Sequence, residues 1–159
     1  MYWRLGPRYR ERPRERNERS LYRLVKRGPP PGLLALDGAM AVGWCQLTPR
    51  ADLPWLDGRP ALARVDEVPV WCISCFYVRR AYRRQGVAAA LIAAALREAR
   101  RAGAPALEAY PYEAATGCSF TGNASMFARA GFTEIARHVG NRPIMRRDLR
   151  RSSGRVKPS

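Results

Sequence analysis

Phe76-Tyr77-Val78-Arg79-Arg80-Ala81-Tyr82-Arg83-Arg84-Gln85-Gly86-Val87-Ala88 is the stretch on which the reading of this chain turns. Its first three residues are strand formers, its middle is a basic turn, and Gly86 opens an alanine-rich run. A helix that starts at Gly86 leaves the backbone N–H groups of residues 84 to 89 without intrahelical acceptors, at the positive end of its dipole. Such a start is an anion cradle that suits a phosphate. Gly86 lets a ligand approach the main chain, Ala88 and Ala89 keep the first turn free of bulk, and Arg79, Arg80, Arg83 and Arg84 add charge.

Outward from the turn, Val70 to Val78 reads as a central strand, apolar on both faces. The helix runs from Gly86 to Ala102. Leu91, Ile92 and Ala95 form its buried stripe, Arg97, Arg100 and Arg101 suit its negative end, and Gly103 with Pro105 closes it. Ala106 to Tyr110 follows as a second strand, parallel to the first and reached by a right-handed crossover. Beyond it the sequence predicts a loop from Tyr112 to Gly122, then a short helix through Met126 and Phe127 to Gly131. A hairpin of Thr133 to Val139 and Ile144 to Leu149 turns at Gly140-Asn141.

Upstream, Leu33 to Leu36 and Met40 to Leu47 flank Asp37-Gly38, a tight-turn dipeptide that signals a hairpin. Thr48 to Val68 reads as a proline-rich loop. Leu21, Leu24 and Val25 recur at helical spacing, and that helix ends at Gly28 and Pro29 to Pro31. Pro7 to Arg19 reads as a charged connector, and Met1 to Leu5 as a short strand. The expected fold is an α/β domain over residues 1–149 with a mixed, mostly antiparallel sheet and helices on both faces. Residues 150–159 read as a basic, disordered tail.

The chain has 159 residues and a net charge of +16, and of its 29 basic residues only Lys26 and Lys157 are lysine. A basic surface favours anionic partners, nucleic acid and phosphorylated cosubstrates alike. The longest apolar run, Val87 to Leu96, is about half of the ~20 residues that span a bilayer, so a cytoplasmic protein without a membrane partner is expected. Cys45, Cys72, Cys75 and Cys118 read as small apolar side chains under reducing conditions. Cys72 and Cys75 fall on opposite faces of a strand, and only His138 is available to join them, so no metal site is expected.

Arg83-x-x-Gly86-x-Ala88 resembles the (Gln/Arg)-x-x-Gly-x-(Gly/Ala) turn of the GNAT superfamily of acyl-CoA N-acyltransferases. Ala130-Gly131-Phe132 resembles that family's closing (Leu/Ala)-Gly-Phe element, and the order of elements from Gly32 to Leu149 is similar to it throughout. The resemblance implies acetyl-CoA as cosubstrate, with its pyrophosphate at Arg83, Arg84, Gln85, Gly86, Val87, Ala88 and Ala89. Its pantetheine arm would lie between two splayed parallel strands, against the main chain of Phe76, Tyr77 and Val78. An amine acceptor would attack the thioester directly in a ternary complex.

Relatives commonly carry a tyrosine acid four residues before the glycine of the Gly-Phe element, a position held here by Phe127. The catalytic candidates are therefore Glu108 as proton acceptor and Tyr110 as the group that orients the amine or protonates the thiolate. They lie two residues apart, hence on one face of a strand. Their structural alternatives are a glutamate paired to arginine and a tyrosine packed at the sheet edge. Tyr112, Cys118 and Ser125 are weaker candidates, and Asp66, Glu67 and Glu113 could help to recognise an amine. Two other functions stay open: a nucleic-acid-directed protein, either an RNA binder or an RNA- or tRNA-directed acetyltransferase, and an acyl-CoA-binding domain without turnover. Assembly as a homodimer is likewise open.

Overall fold

The computed structural model describes residues 2–113 and 120–150. Six strands form one sheet: β1 (Gly32–Asp37), β2 (Met40–Pro49), β3 (Trp71–Val78), β4 (Ala106–Ala109), β5 (Thr133–Val139) and β6 (Arg142–Asp148). Their order across the sheet is β1-β2-β3-β4-β6-β5. Among these six strands only β3 and β4 are parallel neighbours in the described residues; the other strand pairs are antiparallel. The mixed sheet with one parallel pair is the fold expected from the sequence.

The long crossover helix (Val87–Arg101) packs Leu91, Ile92, Ala95, Leu96 and Ala99 onto one face of the sheet. Each leucine or isoleucine so buried stabilises the fold by roughly 1.5–3 kcal/mol. Gly43 on β2 permits the close approach, because a Cβ there would sit 2.7 Å from the Val87 Cγ1. The short helix Ala124–Arg129 joins the same core through Phe127. On the opposite face Leu53, Leu56 and Leu62 pack with Cys72, Tyr110 and Ile144.

In chain order the helices are α1 (Tyr2–Leu5), α2 (Arg8–Glu11), α3 (Arg14–Arg27), α4 (Pro54–Asp57), α5 (Val87–Arg101) and α6 (Ala124–Arg129). Three sequence expectations are corrected here. Met1 to Leu5 is not a strand, since residues 2–5 are helical and the Trp3 side chain packs on the second core, where it outweighs local strand propensity. Pro7 to Arg19 is not a connector but contains α2 and the start of α3. There Pro13 sits at the N-cap and Arg14 pairs with Glu18 one turn on. The loop from Thr48 to Val68 holds α4 and two 3-10 turns, Arg50–Asp52 and Pro60–Leu62, that fold leucines inward. Residues 151–159 of the expected tail lie outside the described residues, as does Cys118.

Candidate active site

β3 leads through a 3-10 turn at Arg80–Tyr82 into α5, whose N-cap is Gly86. Gly86 has φ 81° and Arg84 has φ 61°, so the chain turns twice through the left-handed region immediately before the helix. The first intrahelical bond is Ala90 N–H to the Gly86 carbonyl, 2.9 Å. The N–H groups of Val87, Ala88 and Ala89 thus point out of the helix end. A Cβ built on Gly86 would meet nothing within 4 Å, which leaves the space above the cradle open to a ligand. Arg83, Arg84 and Gln85 are exposed around it. Arg83 donates through Nε to the Val78 carbonyl (3.2 Å) and Gln85 through Nε2 to the Ala81 carbonyl (2.7 Å), which braces the turn.

Beside the cradle the two parallel strands part. Pairing between β3 and β4 ends at Ile73 and Ala109, whereas β3 continues to Val78. Arg79 N–H bonds the Val42 carbonyl across β2, so by alternation Phe76 and Val78 turn their main chain toward the gap left by β4. That gap is partly filled from within: Phe76 N–H donates to the Phe120 carbonyl at 2.6 Å. Phe127 lies alongside, fully buried, with its ring 5.9 Å from Phe76 and 5.2 Å from Phe132. Asn123, a residue that the sequence reading passed over, caps α6 by accepting from Met126 N–H at 2.9 Å. Its place directly before the helix was the available signal.

Glu108 and Tyr110 do share a face, away from α5, and each is no more than 2 % exposed. They sit in a chain of alternating charges that runs Arg64, Asp57, Arg50, Glu108, Arg146, Asp66. Glu108 Oε1 accepts from Arg146 Nε (3.0 Å) and Nη2 (2.7 Å). Its Oε2 accepts from the Tyr110 hydroxyl (2.8 Å) and Arg50 Nη1 (3.4 Å). Four donors match the four acceptor sites of a carboxylate. Arg50 also donates to the Tyr110 hydroxyl oxygen (2.8 Å), to Asp57 (2.8 Å) and to the Leu62 carbonyl (2.6 Å).

Burial, and after it the Glu108 charge, holds the Tyr110 phenol well above its ordinary pKa. Burial works against the Arg50 charge, but Tyr110, Asp57 and Glu108 outweigh it and raise its pKa. Burial, with the Glu108 charge adding to it and Arg50 opposing it, pushes the Cys72 thiol up to about 12, so it stays a thiol.

Asp66 is brought to Glu108 through Arg146, while Glu113 is paired instead to Arg137 at 2.8 Å. Glu67 is exposed, and Ser125 turns to Asn123. Above the strand gap, on the face opposite α5, Trp3 Nε1 donates to the Ser74 carbonyl at 3.1 Å. The Arg142 guanidinium lies 4.5 Å from the Tyr112 ring and 5.8 Å from that of Trp3. The buried Ser74 Oγ has no hydrogen-bond partner among the described residues. Sequence reasoning missed Arg50, Arg146, Trp3 and Ser74. Among the described residues no cluster of three metal-ligating side chains forms, and no helix is long and apolar enough to cross a membrane.

A mixed sheet whose one parallel pair splays beside a helix start with free N–H groups defines an acyltransferase architecture. The family model of the acetyltransferase (GNAT) family matches residues 1–132, and the chain belongs to that family. Its members use acetyl-CoA as acyl donor. Among solved structures, a ribosomal-protein-alanine N-acetyltransferase from Brucella melitensis is 21 % identical at a TM-score of 0.56, over 85 % of this chain and 78 % of its own. The ribosomal-protein-S18-alanine N-acetyltransferase from Escherichia coli is 12 % identical at a TM-score of 0.53, over 84 % and 79 %. Ard1 from Thermoplasma volcanium is 16 % identical at 0.54, over 80 % and 76 %. These likenesses concern the fold. No curated protein sequence matches the chain.

Proposed function

We propose that the chain transfers an acetyl group from acetyl-CoA to the α-amino group of a polypeptide, by direct attack in a ternary complex. The observation that carries the cosubstrate is the open helix start at Gly86 beside the strand gap. Pyrophosphate would rest on the N–H groups that follow Arg83, Arg84 and Gln85, with Val87, Ala88 and Ala89 beneath it. The pantetheine arm would run along Phe76, Tyr77 and Val78, and to pair with Phe76 it takes the place now held by the Phe120 carbonyl.

The acceptor class follows from the state of the acid–base groups. Phe127 has no hydroxyl, the Tyr110 phenol is held protonated by burial, and both oxygens of Glu108 are occupied. Glu108 and Tyr110 then act as positioning residues that fix the end of β4 where the thioester would lie, and the amine loses its proton to water. Such a site favours an amine that is already neutral. Near pH 7.5 roughly a third of an α-amine is free base, against about 0.1 % of a lysine side chain. The named activities of the two ribosomal-protein N-acetyltransferases accord with this choice.

A cytoplasmic setting suits the unpaired thiols of Cys45, Cys72 and Cys75. Homodimer assembly has a candidate face in exposed Leu34 and Leu36 on the edge strand β1, which sedimentation would test. A second reading, acyl-CoA binding without turnover, is favoured by Phe127 and by the Phe120 contact. Thiol release distinguishes the two. With acetyl-CoA and a panel of unblocked peptides, free CoA should appear in step with peptide acetylation. Stabilisation by acetyl-CoA with no thiol released for any amine would leave only the binding reading.

A further inference from the structure

The longest helix outside the acyltransferase core is α3, and it has no part in the site described above. Arg16, Arg19, Arg23, Lys26 and Arg27 recur on it at three- and four-residue intervals, which sets them in one stripe ~16 Å long. All five are exposed. None takes part in an ion pair among the described residues. The two acids of the helix, Glu15 and Glu18, lie near its start, and Glu18 is held by Arg14 at 2.9 Å. From Arg19 to Arg27 the helix carries no acid at all.

The other side of α3 is occupied. Asn17, Ser20, Leu21 and Leu24 are half-buried, Asn17 Nδ2 donates to the Tyr9 carbonyl (2.9 Å), and Ser20 Oγ accepts from Arg12 (2.9 Å). Four unpaired guanidinium groups and an ammonium on one ridge repel one another unless an anion of matching length lies along them. A bilayer would need a continuous apolar face turned outward, and here Leu21 and Leu24 are half-buried, while the exposed apolar side chains of the helix, Tyr22 and Val25, stand beside the exposed Glu18. A helix that reads DNA in the major groove sets its N-terminal residues on the base edges, and the first turns of α3 carry Glu15 and Glu18. What fits is a ridge laid across a duplex whose groove is wide and shallow and is read through its backbone: A-form RNA.

We propose that the α3 stripe docks the chain on double-stranded RNA through phosphate contacts, without base specificity. The inference stands apart from acyl transfer and holds whichever amine is the acceptor. In its test, the full chain is titrated against a labelled RNA duplex of about 20 base pairs, longer than the ~16 that a duplex-reading domain spans. Parallel arms use a DNA duplex of the same sequence and phosphatidylserine vesicles, each over a range of salt.

The variant carries Arg16→Gln, Arg19→Gln, Arg23→Gln, Lys26→Gln and Arg27→Gln together. Expected are tightest binding to the RNA duplex and a log–log salt slope shallower by about 3–5 in the variant, at roughly 0.9 per phosphate contact. Its RNA affinity at low salt should fall at least tenfold. Its melting temperature and its acetyl-CoA response should match the wild type. If the combined variant does not fold, Arg19→Glu and Arg23→Glu are each expected to weaken RNA binding alone. Unchanged RNA affinity and slope would overturn the proposal, as would tighter binding to the DNA duplex or to the vesicles.

Discussion

The turn at residues 83–89 and the end of β4 at Glu108 and Tyr110 are both polar, both arginine-rich and both close to the strand gap, yet they are built in opposite ways. In the first, donors outnumber acceptors, the Gly86 cradle is open, and the side chains reach solvent. In the second, each charge has its partner, and Arg50 and Glu108 are each only 2 % exposed. A site with free donors is ready to bind. One in which every donor and acceptor is matched holds the fold and exchanges protons poorly. Residue type alone does not separate the two, because arginine and glutamate serve either purpose.

The sharpest way to break that contrast is to remove a charge from the matched set. Glu108→Gln leaves Arg50 and Arg146 facing a neutral amide, and loss of one partner from a buried ion pair costs about 3–5 kcal/mol, a Tm decrease on the order of 10 °C. Calorimetry should show that loss with and without acetyl-CoA. A fold as stable as wild type, coupled to a kcat fall of 10²-fold or more, would make Glu108 a proton carrier after all.

Next in size is the open side. Gly86→Glu puts a side chain and a negative charge over the cradle and should abolish the rise in Tm that acetyl-CoA produces, which is about 2.7 kcal/mol of stabilisation at a hundredfold excess over Kd. Gly86→Asn tolerates the left-handed φ and should keep part of the shift. Pantetheine without its phosphates should stabilise the wild type much less than acetyl-CoA does. An undiminished shift in Gly86→Glu would remove the cradle from the site.

Smaller, but informative about the matched side, is its response to acid. Burial works against the Asp57 charge, yet Arg50 and Arg64 hold its pKa below the ordinary 3.8, and Arg146 does the same for Asp66. With folded values below unfolded ones, their contribution is complete above about pH 4 and is lost as pH falls through the depressed values. Tm should therefore fall with acid below pH ~4, and more gently in Arg146→Gln, where the shift of Asp66 is gone. An identical acid profile in that variant would deny Arg146 its role.

The same contrast explains what could be read from the residues beforehand. The cradle is local: strand, turn, glycine and helix follow one another within some fifteen positions, and each leaves its mark in the sequence. The hairpin at Asp37-Gly38 was legible for the same reason. The matched set joins residues 50, 57, 66, 108 and 146, whose meeting depends on how the sheet brings β4 beside β6 and folds the 50–62 segment over them. No spacing announces it. Likewise Trp3 reaches Ser74 and Phe120 reaches Phe76 only through the tertiary fold. The helices α1 and α2 and the first turns of α3 were hidden by charge: Leu21, Leu24 and Val25 mark the second half of α3, but the arginines before them read as a connector.

The central claim, that acetyl-CoA is attacked by an amine whose own pKa sets its reactivity, is tested most directly by kcat/KM as a function of pH. The substrates are a peptide with a free N-terminal alanine and a blocked peptide carrying one lysine, both followed by thiol release. For the free α-amine the rate should rise and level off near its pKa of about 7.7–8.0, with the lysine peptide slower by about two orders of magnitude near neutrality. A plateau already reached below pH 6, or a lysine peptide acetylated as fast as the α-amine, would contradict the account, since either requires a base that the matched charges around Glu108 do not provide.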